Sequence, residues 1–172
     1  MSLLLNAVFF LPAGMGNLAP VLANKVPGLN RWQTPLDGGK KYGGRRIFGD
    51  HKTWRGLFSG MVLAGLTAVL VSHRYSSLYG HHSAFIVGAA LGFGALLGDA
   101  LESFFKRRSG VPAGKSWFPY DQIDYVIGGL LLSLPFVRLN ATDYLTIIVL
   151  YFGLHLFASY IGYLLHFKDQ PI

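Results

Sequence analysis

The chain has 172 residues, of which 52% are hydrophobic and only 13% are charged, and its formal net charge is +7. A mean hydropathy of +0.40 is typical of an integral membrane protein and disfavours a soluble domain. The chain contains no cysteine, which excludes disulfides, thiolate metal sites and cysteine nucleophiles.

Five apolar segments of the sequence are long enough to cross a hydrocarbon core, which takes about 20 helical residues. The first has neither the basic n-region nor the cleavage site of a signal peptide, so we expect it to remain as a helix. We predict an all-α integral membrane protein in which residues 1–172 form one domain. Its five transmembrane helices are expected near residues 3–23, 56–73, 84–105, 123–139 and 144–167.

The first apolar segment contains residues that disfavour a continuous helix. Pro12 and Pro20 interrupt it, Gly16 and Asn17 lie between them, and Asn24 follows at its end. Broken helices occur in membrane proteins where they line a cavity. We therefore predict a broken first helix, with Asn17, Pro20 and Asn24 as candidate cavity residues.

The segment between the first two predicted helices alternates glycines with basic residues. Thr34 to Gly60 reads TPLDGGKKYGGRRIFGDHKTWRGLFSG. Glycine lets the backbone approach a ligand closely. Lys52 and Thr53 form the KT pair of a P-loop, but the upstream glycine spacing and the preceding strand of that motif are absent, so we reject that match.

Glycines spaced by four residues recur in the second and third predicted helices. Gly56 precedes Gly60, and Gly88 precedes Gly92. Such spacing lets helices pack closely, either within one chain or between two. A homo-oligomer is therefore compatible with the sequence.

The third predicted helix ends in a polar stripe. Asp99, Glu102 and Lys106 recur at i, i+3 and i+7, and Ser103 follows Asp99 by four residues, so all four lie on one face. Ionisable residues at a membrane edge indicate a functional site. The alternative is an internal salt bridge between Glu102 and Lys106, with the basic end of the helix reaching to the membrane interface.

The fourth predicted helix begins with two acids. Asp121 and Asp124 are i, i+3 neighbours, and two anions so close repel each other unless one is protonated or a cation is shared. The alternative is the ordinary preference of acids for the positive end of a helix dipole. If this pair faces Asp99 across a cleft, the three carboxylates form a cluster for one or two metal ions.

Basic residues are distributed unequally between the loops. Thirteen of the fifteen lie between the first two predicted helices, between the third and fourth, or in the tail with Lys168, against only Arg74 and Arg138 opposite them. Because cytoplasmic loops retain an excess of lysine and arginine, we predict the N-terminus outside and both large loops and the C-terminus inside. Confinement to one membrane face argues against nucleic acid as a partner and indicates the bilayer surface.

Most of the acidic residues lie in or beside these two basic segments. Six of the eight do so, namely Asp37, Asp50, Asp99, Glu102, Asp121 and Asp124. Carboxylate oxygens suit Mg²⁺, and lysines, arginines and glycine backbone amides suit phosphate oxygens. The pattern indicates a site for a metal–nucleotide complex.

Four motifs in order, TPLDGG, RRIFGDHKTWRG, GDALESFFKRR and DQID, closely resemble the CDP-archaeol synthase family, relatives of the phosphatidate cytidylyltransferases. The KTWxG element is matched from Lys52 to Gly56. The GD, ES and KR elements are matched at Gly98, Asp99, Glu102, Ser103, Lys106 and Arg107. A DRxD element resembles Asp121 to Asp124, with Gln122 where arginine is usual. Ser116 to Tyr120 departs from the bacterial relatives, which favours the archaeal branch.

The resemblance implies an enzyme in which CTP reacts with an isoprenoid ether glycerol phosphate, giving a CDP-activated lipid and pyrophosphate. It implies Mg²⁺ as the cofactor and an active site that faces the cytoplasm at the cell membrane. A CTP-dependent polyprenol kinase and a non-catalytic membrane subunit or transporter remain alternatives. A CDP-alcohol phosphotransferase is excluded, because the residues that follow Asp37 and Gly38 do not match the rest of its DGxxAR element.

The resemblance also assigns roles to residues. The predicted catalytic residues are Lys52, Asp99, Lys106, Asp121 and Asp124, and the predicted metal ligands are Asp99, Asp121 and Asp124. Residues expected to bind nucleotide or phosphate, to orient the cluster or to hold the loop are Asp37, Asp50, Lys52, Thr53, Glu102, Ser103, Lys106, Arg107 and Lys115. The predicted contacts with the lipid substrate or cavity wall are Asn17, Pro20 and Asn24.

Overall fold

A computed structural model of the protein describes residues 1–112 and 115–166. Predictions that involve residue 167 or Lys168 therefore lie outside the described residues. The described residues form five α-helices, with a short 3-10 helix at Leu29–Arg31 and a two-stranded hairpin between the first two. They are α1 (Leu3–Ala23), β1 (Lys41–Tyr42), β2 (Arg45–Arg46), α2 (Trp54–Arg74), α3 (Ala84–Arg108), α4 (Tyr120–Ser133) and α5 (Ala141–Leu164).

Four of the helices formed by the described residues, α1, α2, α3 and α5, are long and apolar enough to cross a membrane. They agree with the predicted helices to within three residues at each described end. The prediction for residues 123–139 is wrong in its bounds, because α4 begins at Tyr120 and ends after 14 residues at Ser133. The helix ends two residues before Pro135, which has no N–H group to donate to the carbonyl of Leu131 and so cannot continue the helical hydrogen bonds. At about 21 Å, α4 is shorter than a hydrocarbon core of about 30 Å.

The prediction of a broken first helix is also wrong. Helix α1 is continuous from Leu3 to Ala23 with Pro12 and Pro20 inside it. Pro12 is fully buried, and in a packed bundle neighbouring helices and local adjustment compensate for the hydrogen bond that a proline removes.

Three helices meet at glycines in the middle of the bundle. A Cβ atom on Gly16 of α1 would lie 3.0 Å from the Cα of Gly92 on α3 and 3.2 Å from the carbonyl oxygen of Gly60 on α2. A Cβ on Gly60 would lie 2.9 Å from the carbonyl oxygen of Gly16, and a Cβ on Gly92 would lie 2.9 Å from that of Gly60, so both positions need glycine. The predicted packing role of Gly60 and Gly92 is thereby confirmed within one chain.

Helices α3 and α4 cross at a second set of glycines. A Cβ on Gly128 would lie 2.9 Å from the Cα of Gly98, and it would also overlap the carbonyl oxygen of Gly94. A Cβ on Gly98 would overlap the carbonyl oxygen of Asp124. This close crossing brings the polar end of α3 against the first turns of α4.

Ion pairs define the two ends of the bundle. At one end, Lys52 before α2 pairs with Asp99 on α3. At the other end, the amino group of Met1 lies 2.6 Å from an oxygen of Asp143 in the first turn of α5. We call these the site end and the Met1 end. Helices α1, α3 and α5 run from the Met1 end toward the site end, and α2 and α4 run back.

The loop from Asn24 to Thr53 folds against the site end. The amide of Leu36 donates to the carbonyl of Lys52 at 2.8 Å, and the amide of Trp54 donates to the carbonyl of Thr34 at 3.0 Å. Thr53 then caps α2 by accepting a hydrogen bond from the amide of Gly56 at 3.1 Å. These bonds fix Lys52 at the start of the helix.

Candidate active site

Three carboxylates from two helices converge at the site end. Asp99 and Glu102 of α3 and Asp124 of α4 each offer an oxygen, and these oxygens all lie within 4.8 Å of one another. The glycine crossing of α3 and α4 produces this proximity, because no side chain separates the backbone of Gly98 from that of Asp124. We call Asp99, Glu102 and Asp124 the carboxylate cluster.

Two lysines stand beside the cluster. The Nζ of Lys52 lies 2.5 Å from an oxygen of Asp99. The Nζ of Lys106 donates to both oxygens of Asp121, at 2.6 and 2.8 Å, and lies 3.9 Å from Glu102. The predicted catalytic residues Lys52, Lys106, Asp99, Asp121 and Asp124 are thus brought to one end of the bundle.

Asp121 has different surroundings from Asp99 and Asp124, the other two predicted metal ligands. Besides Lys106, it accepts a hydrogen bond from the amide of Trp117 at 2.7 Å. Among the described residues, the group with metal-ligand spacing contains Glu102 in the position that the sequence analysis gave to Asp121. The sequence contained a signal for Glu102 as a ligand, because Asp99 and Glu102 are three residues apart and therefore share a helix face.

The composition of the site fits a hard divalent cation. Among the described residues, the four carboxylates of the cluster and of Asp121 have ion pairs with two lysines, so the site has a formal excess of two negative charges when all four are ionised. The Oε1 atom of Glu102 is buried and has no hydrogen-bond partner among the described residues. Oxygen donors with an excess of two negative charges are what Mg²⁺ prefers.

Asp37 lies in the loop and its oxygens are fully occupied. Arg46 donates to it at 2.6 and 3.3 Å, and the amides of Gly39, Phe48 and Gly49 donate at 3.0, 2.9 and 3.0 Å. Burial raises the pKa of Asp37, but the hydrogen bonds from Arg46 and from the amides outweigh it and leave the pKa well below its ordinary value. Of the two roles predicted for Asp37, these contacts match that of holding the loop.

Arg107 connects the same loop to α3. Its guanidinium donates to the carbonyl of Phe48, and its own carbonyl accepts from Arg45. Gly49 follows with a φ of +96°, and a Cβ there would overlap the Arg107 guanidinium. The glycine in the sequence RRIFGD is therefore required by its backbone conformation, and the Arg107 guanidinium packs against it.

The other residues predicted to bind nucleotide or phosphate have different surroundings from one another. Asp50 is exposed and pairs with Arg46. Thr53 is the cap of α2, Ser103 is buried one residue after Glu102, and Lys115 is exposed.

Two cavities open on the polar side of the site. The larger, of about 390 Å³, is lined by Arg45, Arg46, Arg107 and neighbouring residues. The smaller, of about 210 Å³, is lined by the predicted cavity residues Asn17 and Pro20 and by Lys52 and Asp99. Apolar side chains form the rest of its wall, namely Val21, Leu36, Leu57 and Leu96. Asn24 is exposed at the end of α1 and is not among these lining residues.

His51 lines both polar cavities and was missed by sequence reasoning. Its position next to Lys52 was the available signal.

A third, apolar cavity lies between α3 and α4 and was also missed. It measures about 370 Å³ and is lined by Leu101, Phe105, Ile127 and Leu131, with Glu102, Asp124 and the two glycines of the crossing. We call it the α3–α4 groove. Its signal in the sequence was the glycine spacing from Gly94 to Gly98 opposite Gly128.

Comparison with known proteins agrees with the order of the motifs. The family model described as CarS-like, CDP-archaeol synthase, matches residues 1–172. The CDP-archaeol synthase of Thermococcus onnurineus is 36% identical over 172 residues, covering 99% of this chain and 97% of that protein. That of Methanosarcina barkeri is 41% identical over 156 residues, covering 80% of this chain and 89% of that protein.

A solved structure described as an intramembrane enzyme for archaeal membrane lipids biosynthesis has the same fold. Its TM-score to this chain is 0.76 at 29% sequence identity, and the match covers 89% of this chain and 91% of that one. Sequence motifs, whole-length similarity and fold lead to the same conclusion. The chain belongs to the CDP-archaeol synthase family of membrane cytidylyltransferases.

Proposed function

We propose that this protein transfers the cytidylyl group of CTP to the phosphate of an isoprenoid ether glycerol phosphate, giving CDP-archaeol and pyrophosphate for membrane-lipid biosynthesis. The observation that supports the chemistry best is the carboxylate cluster flanked by Lys52 and Lys106 at one end of an apolar bundle. Such a site suits a soluble, highly charged nucleotide that meets a membrane-bound phosphate.

The reaction requires positioning more than proton transfer. An oxygen of the lipid phosphate attacks the α-phosphorus of CTP, the bond from that phosphorus to the oxygen bridging to the β-phosphate breaks, and pyrophosphate leaves with the electron pair. The attacking oxygen is already ionised, so no general base is needed. The catalytic contribution is alignment of the two phosphates and compensation of their charge.

The carboxylate cluster would hold the metal ion. Asp99 and Asp124 are the ligands that we keep from the sequence prediction. We add Glu102 as the third, because its buried Oε1 has no hydrogen bond among the described residues and its only ion-pair contact there is Lys106 at 3.9 Å. Mg²⁺ bound there would offset the negative charge of the phosphates that CTP and the lipid bring together.

The two lysines would act beside different members of the cluster, Lys52 beside Asp99 and Lys106 beside Glu102. Lys52 lines the smaller polar cavity, where its ammonium group can offset charge on the triphosphate. Lys106 is held by both oxygens of Asp121, so we assign Asp121 as the residue that positions Lys106. The arginine-lined cavity is our candidate for the nucleotide. Arg107 is in its lining, and the amide of Lys115 donates to the carbonyl of Pro112, another lining residue.

The direction of the helices supports five membrane crossings with the site end in the cytoplasm. Because Asp121 lies at the site end and Asp143 at the Met1 end, the chain from α4 to the start of α5 returns across the bundle although α4 alone is short. Basic residues are concentrated at the site end. By the positive-inside rule the N-terminus lies outside and the active site faces the cytoplasm.

One labelling experiment tests this function. The purified protein in detergent is incubated with Mg²⁺, digeranylgeranyl glycerol phosphate and CTP labelled at the α- or γ-phosphate, with Asp124→Asn as the matched inactive variant. We expect the α-label to enter lipid in the wild type only. Transfer of the γ-label would show a lipid kinase, and transfer of neither label would overturn both enzyme functions.

A further inference from the structure

Arg55, in the first turn of α2, is a buried cation. It is only 5% exposed, and among the described residues it forms no ion pair. Its Nη1 donates to the carbonyl of Leu29 at 3.3 Å, and its buried Nε has no hydrogen-bond partner in the described part of the chain. A neutral carbonyl does not compensate a full positive charge, so burying Arg55 is costly unless an anion lies nearby.

The segment that contacts Arg55 is both basic and apolar. Residues 24–33 read NKVPGLNRWQ, and no acid occurs from residue 24 to residue 36. The two basic residues, Lys25 and Arg31, are exposed and form no ion pair with other described residues. Three apolar side chains of the segment are exposed as well, namely Val26, Leu29 and Trp32. Basic and apolar side chains exposed together are typical of a chain that lies in the plane of the membrane interface. We call residues 24–33 the interfacial segment.

An aromatic stack fixes the interfacial segment against α2. The ring centroids of Trp32 and Phe58 lie 5.9 Å apart, and those of Trp54 and Phe58 lie 6.0 Å apart, with both pairs stacked. Phe58 follows Trp54 by one turn, which is about 6 Å along the helix. Because tryptophans concentrate where headgroups meet hydrocarbon, the stack indicates that the segment lies at this depth.

Arg55 also begins an exposed apolar stripe along α2. Residues at i+3, i+7 and i+11 from it are each about half exposed, namely Phe58, Val62 and Leu66. The stripe faces away from the candidate active site, because Leu57, which lines the smaller polar cavity, and Gly60, which packs on Gly16 of α1, lie on the other side of α2. Arg55 therefore lies at the site end of a lipid-facing surface that is separate from the carboxylate cluster.

We propose that Arg55, together with Lys25 and Arg31, binds the phosphate group of an anionic bilayer lipid whose chains lie along the apolar stripe of α2. Three cations without acidic partners among the described residues match the charge of such a headgroup. The guanidinium group has several donors in one plane, which suits phosphate oxygens. The stripe continues the surface that α2 presents to the bilayer, so the lipid chains need no separate pocket.

The bound lipid would have a structural role in the loop between α1 and α2. The interfacial segment leads directly into Thr34, whose carbonyl accepts a hydrogen bond from the amide of Trp54. A lipid that holds the segment on α2 would thereby hold the loop that carries Lys52.

Tryptophan fluorescence measures this binding without CTP or substrate, so the result is independent of the proposed function. The chain has three tryptophans, and Trp117→Phe leaves Trp32 and Trp54 as reporters. This protein is placed in phosphatidylcholine vesicles that contain a small, equal fraction of phosphatidylglycerol or phosphatidylcholine with brominated chains. Since bromine quenches indole emission only at short range, we expect quenching to show an enrichment of the anionic lipid of about fivefold or more.

Three substitutions in the Trp117→Phe protein identify the site. Arg55→Gln and Arg31→Gln should each lower the enrichment by about threefold, because each removes one cation from the headgroup. Lys40→Gln is the matched control, since Lys40 is exposed and basic in the same loop but lies outside the interfacial segment. It should leave the enrichment unchanged. If Arg55→Gln does not fold, the comparison of Arg31→Gln with Lys40→Gln decides, because both residues are exposed.

Equal quenching by the two brominated lipids would overturn the proposal, as would the same loss of enrichment in Arg31→Gln and Lys40→Gln. Displacement by inorganic phosphate, but not by chloride at equal ionic strength, would assign the site to a soluble anion and would also overturn it.

Discussion

Asp37 and the carboxylate cluster lie at the same end of the bundle, but their oxygens differ in how many hydrogen bonds they accept. Asp37 accepts hydrogen bonds from Arg46 and from three backbone amides. The carboxylate cluster, in contrast, places three acids together and leaves a buried oxygen of Glu102 without a hydrogen-bond partner among the described residues. A saturated carboxylate holds local structure, whereas a crowded and unsaturated one costs stability and indicates a ligand.

The largest effect that separates the two groups is expected for Asp124→Asn. The amide keeps the size of the side chain and can still accept from the amide of Tyr125, but it removes one negative charge from the cluster. We expect transfer of the α-label to lipid to fall by about a thousandfold, the loss typical when a charge-stabilising group is removed. The temperature of unfolding should stay equal or rise, because a like charge is lost.

A parallel loss of stability in Asp124→Asn would contradict the distinction between the two groups. It would place Asp124 with Asp37 among the residues that hold the fold.

A smaller effect is expected at Asp121, which contacts Lys106 through both oxygens. Asp121→Asn should lower kcat by about tenfold to a hundredfold through loss of lysine orientation, with little change in the KM for CTP. Lys106→Met should cost a similar amount. If the two residues act as one unit, the double variant loses little more than either single variant.

Strictly additive losses in that cycle would show that Asp121 acts independently of Lys106. The metal-ligand role predicted for Asp121 from the sequence would then be favoured over a positioning role.

Asp37→Asn should affect stability before chemistry. The amide cannot accept the full set of hydrogen bonds and leaves the guanidinium of Arg46 without its charged partner, which costs about 2 kcal/mol. We expect a lower unfolding temperature and faster proteolysis of the loop between α1 and α2, with cation binding retained. Normal stability with abolished activity would contradict the structural role.

The pH dependence of stability gives the smallest expected effect. Because hydrogen bonds hold the pKa of Asp37 below its unfolded value of about 3.9, ionised Asp37 stabilises the fold at higher pH, and this contribution is lost as the pH falls below about 4. The advantage of the wild type over Asp37→Asn in unfolding temperature should therefore shrink between pH 6 and pH 3. A constant difference would show that ionisation of Asp37 contributes nothing.

The sequence predicted the four long helices because each is a long apolar run, and it predicted the polar stripe of α3 from helical spacing. It misjudged α1 and α4 because both depend on proline in opposite ways. The bundle accommodates Pro12 inside the continuous helix α1, whereas α4 ends at Ser133, two residues before Pro135. Hydrophobic periodicity along the sequence does not show whether a helix will contain a proline or end before it, since this depends on how the helices pack.

The site was predicted less completely than the fold. Residue types and motifs identified the acids and lysines, but not which acid faces which partner. Among the described residues, Glu102 joins Asp99 and Asp124 in the group with metal-ligand spacing, and the contact between Gly98 and Gly128 brings the helices that carry these residues together. Such pairwise geometry is not contained in the spacing along a single helix.

Cation binding tests the central distinction most directly. Binding of Mn²⁺, as a spectroscopic substitute for Mg²⁺, is titrated without nucleotide into the wild type, Asp124→Asn, Glu102→Gln and Asp37→Asn. The carboxylate cluster predicts binding to the wild type and to Asp37→Asn, and binding at least about tenfold weaker in the two cluster variants. Equal affinity of all four proteins for Mn²⁺ would contradict the assignment of the carboxylate cluster as the metal site.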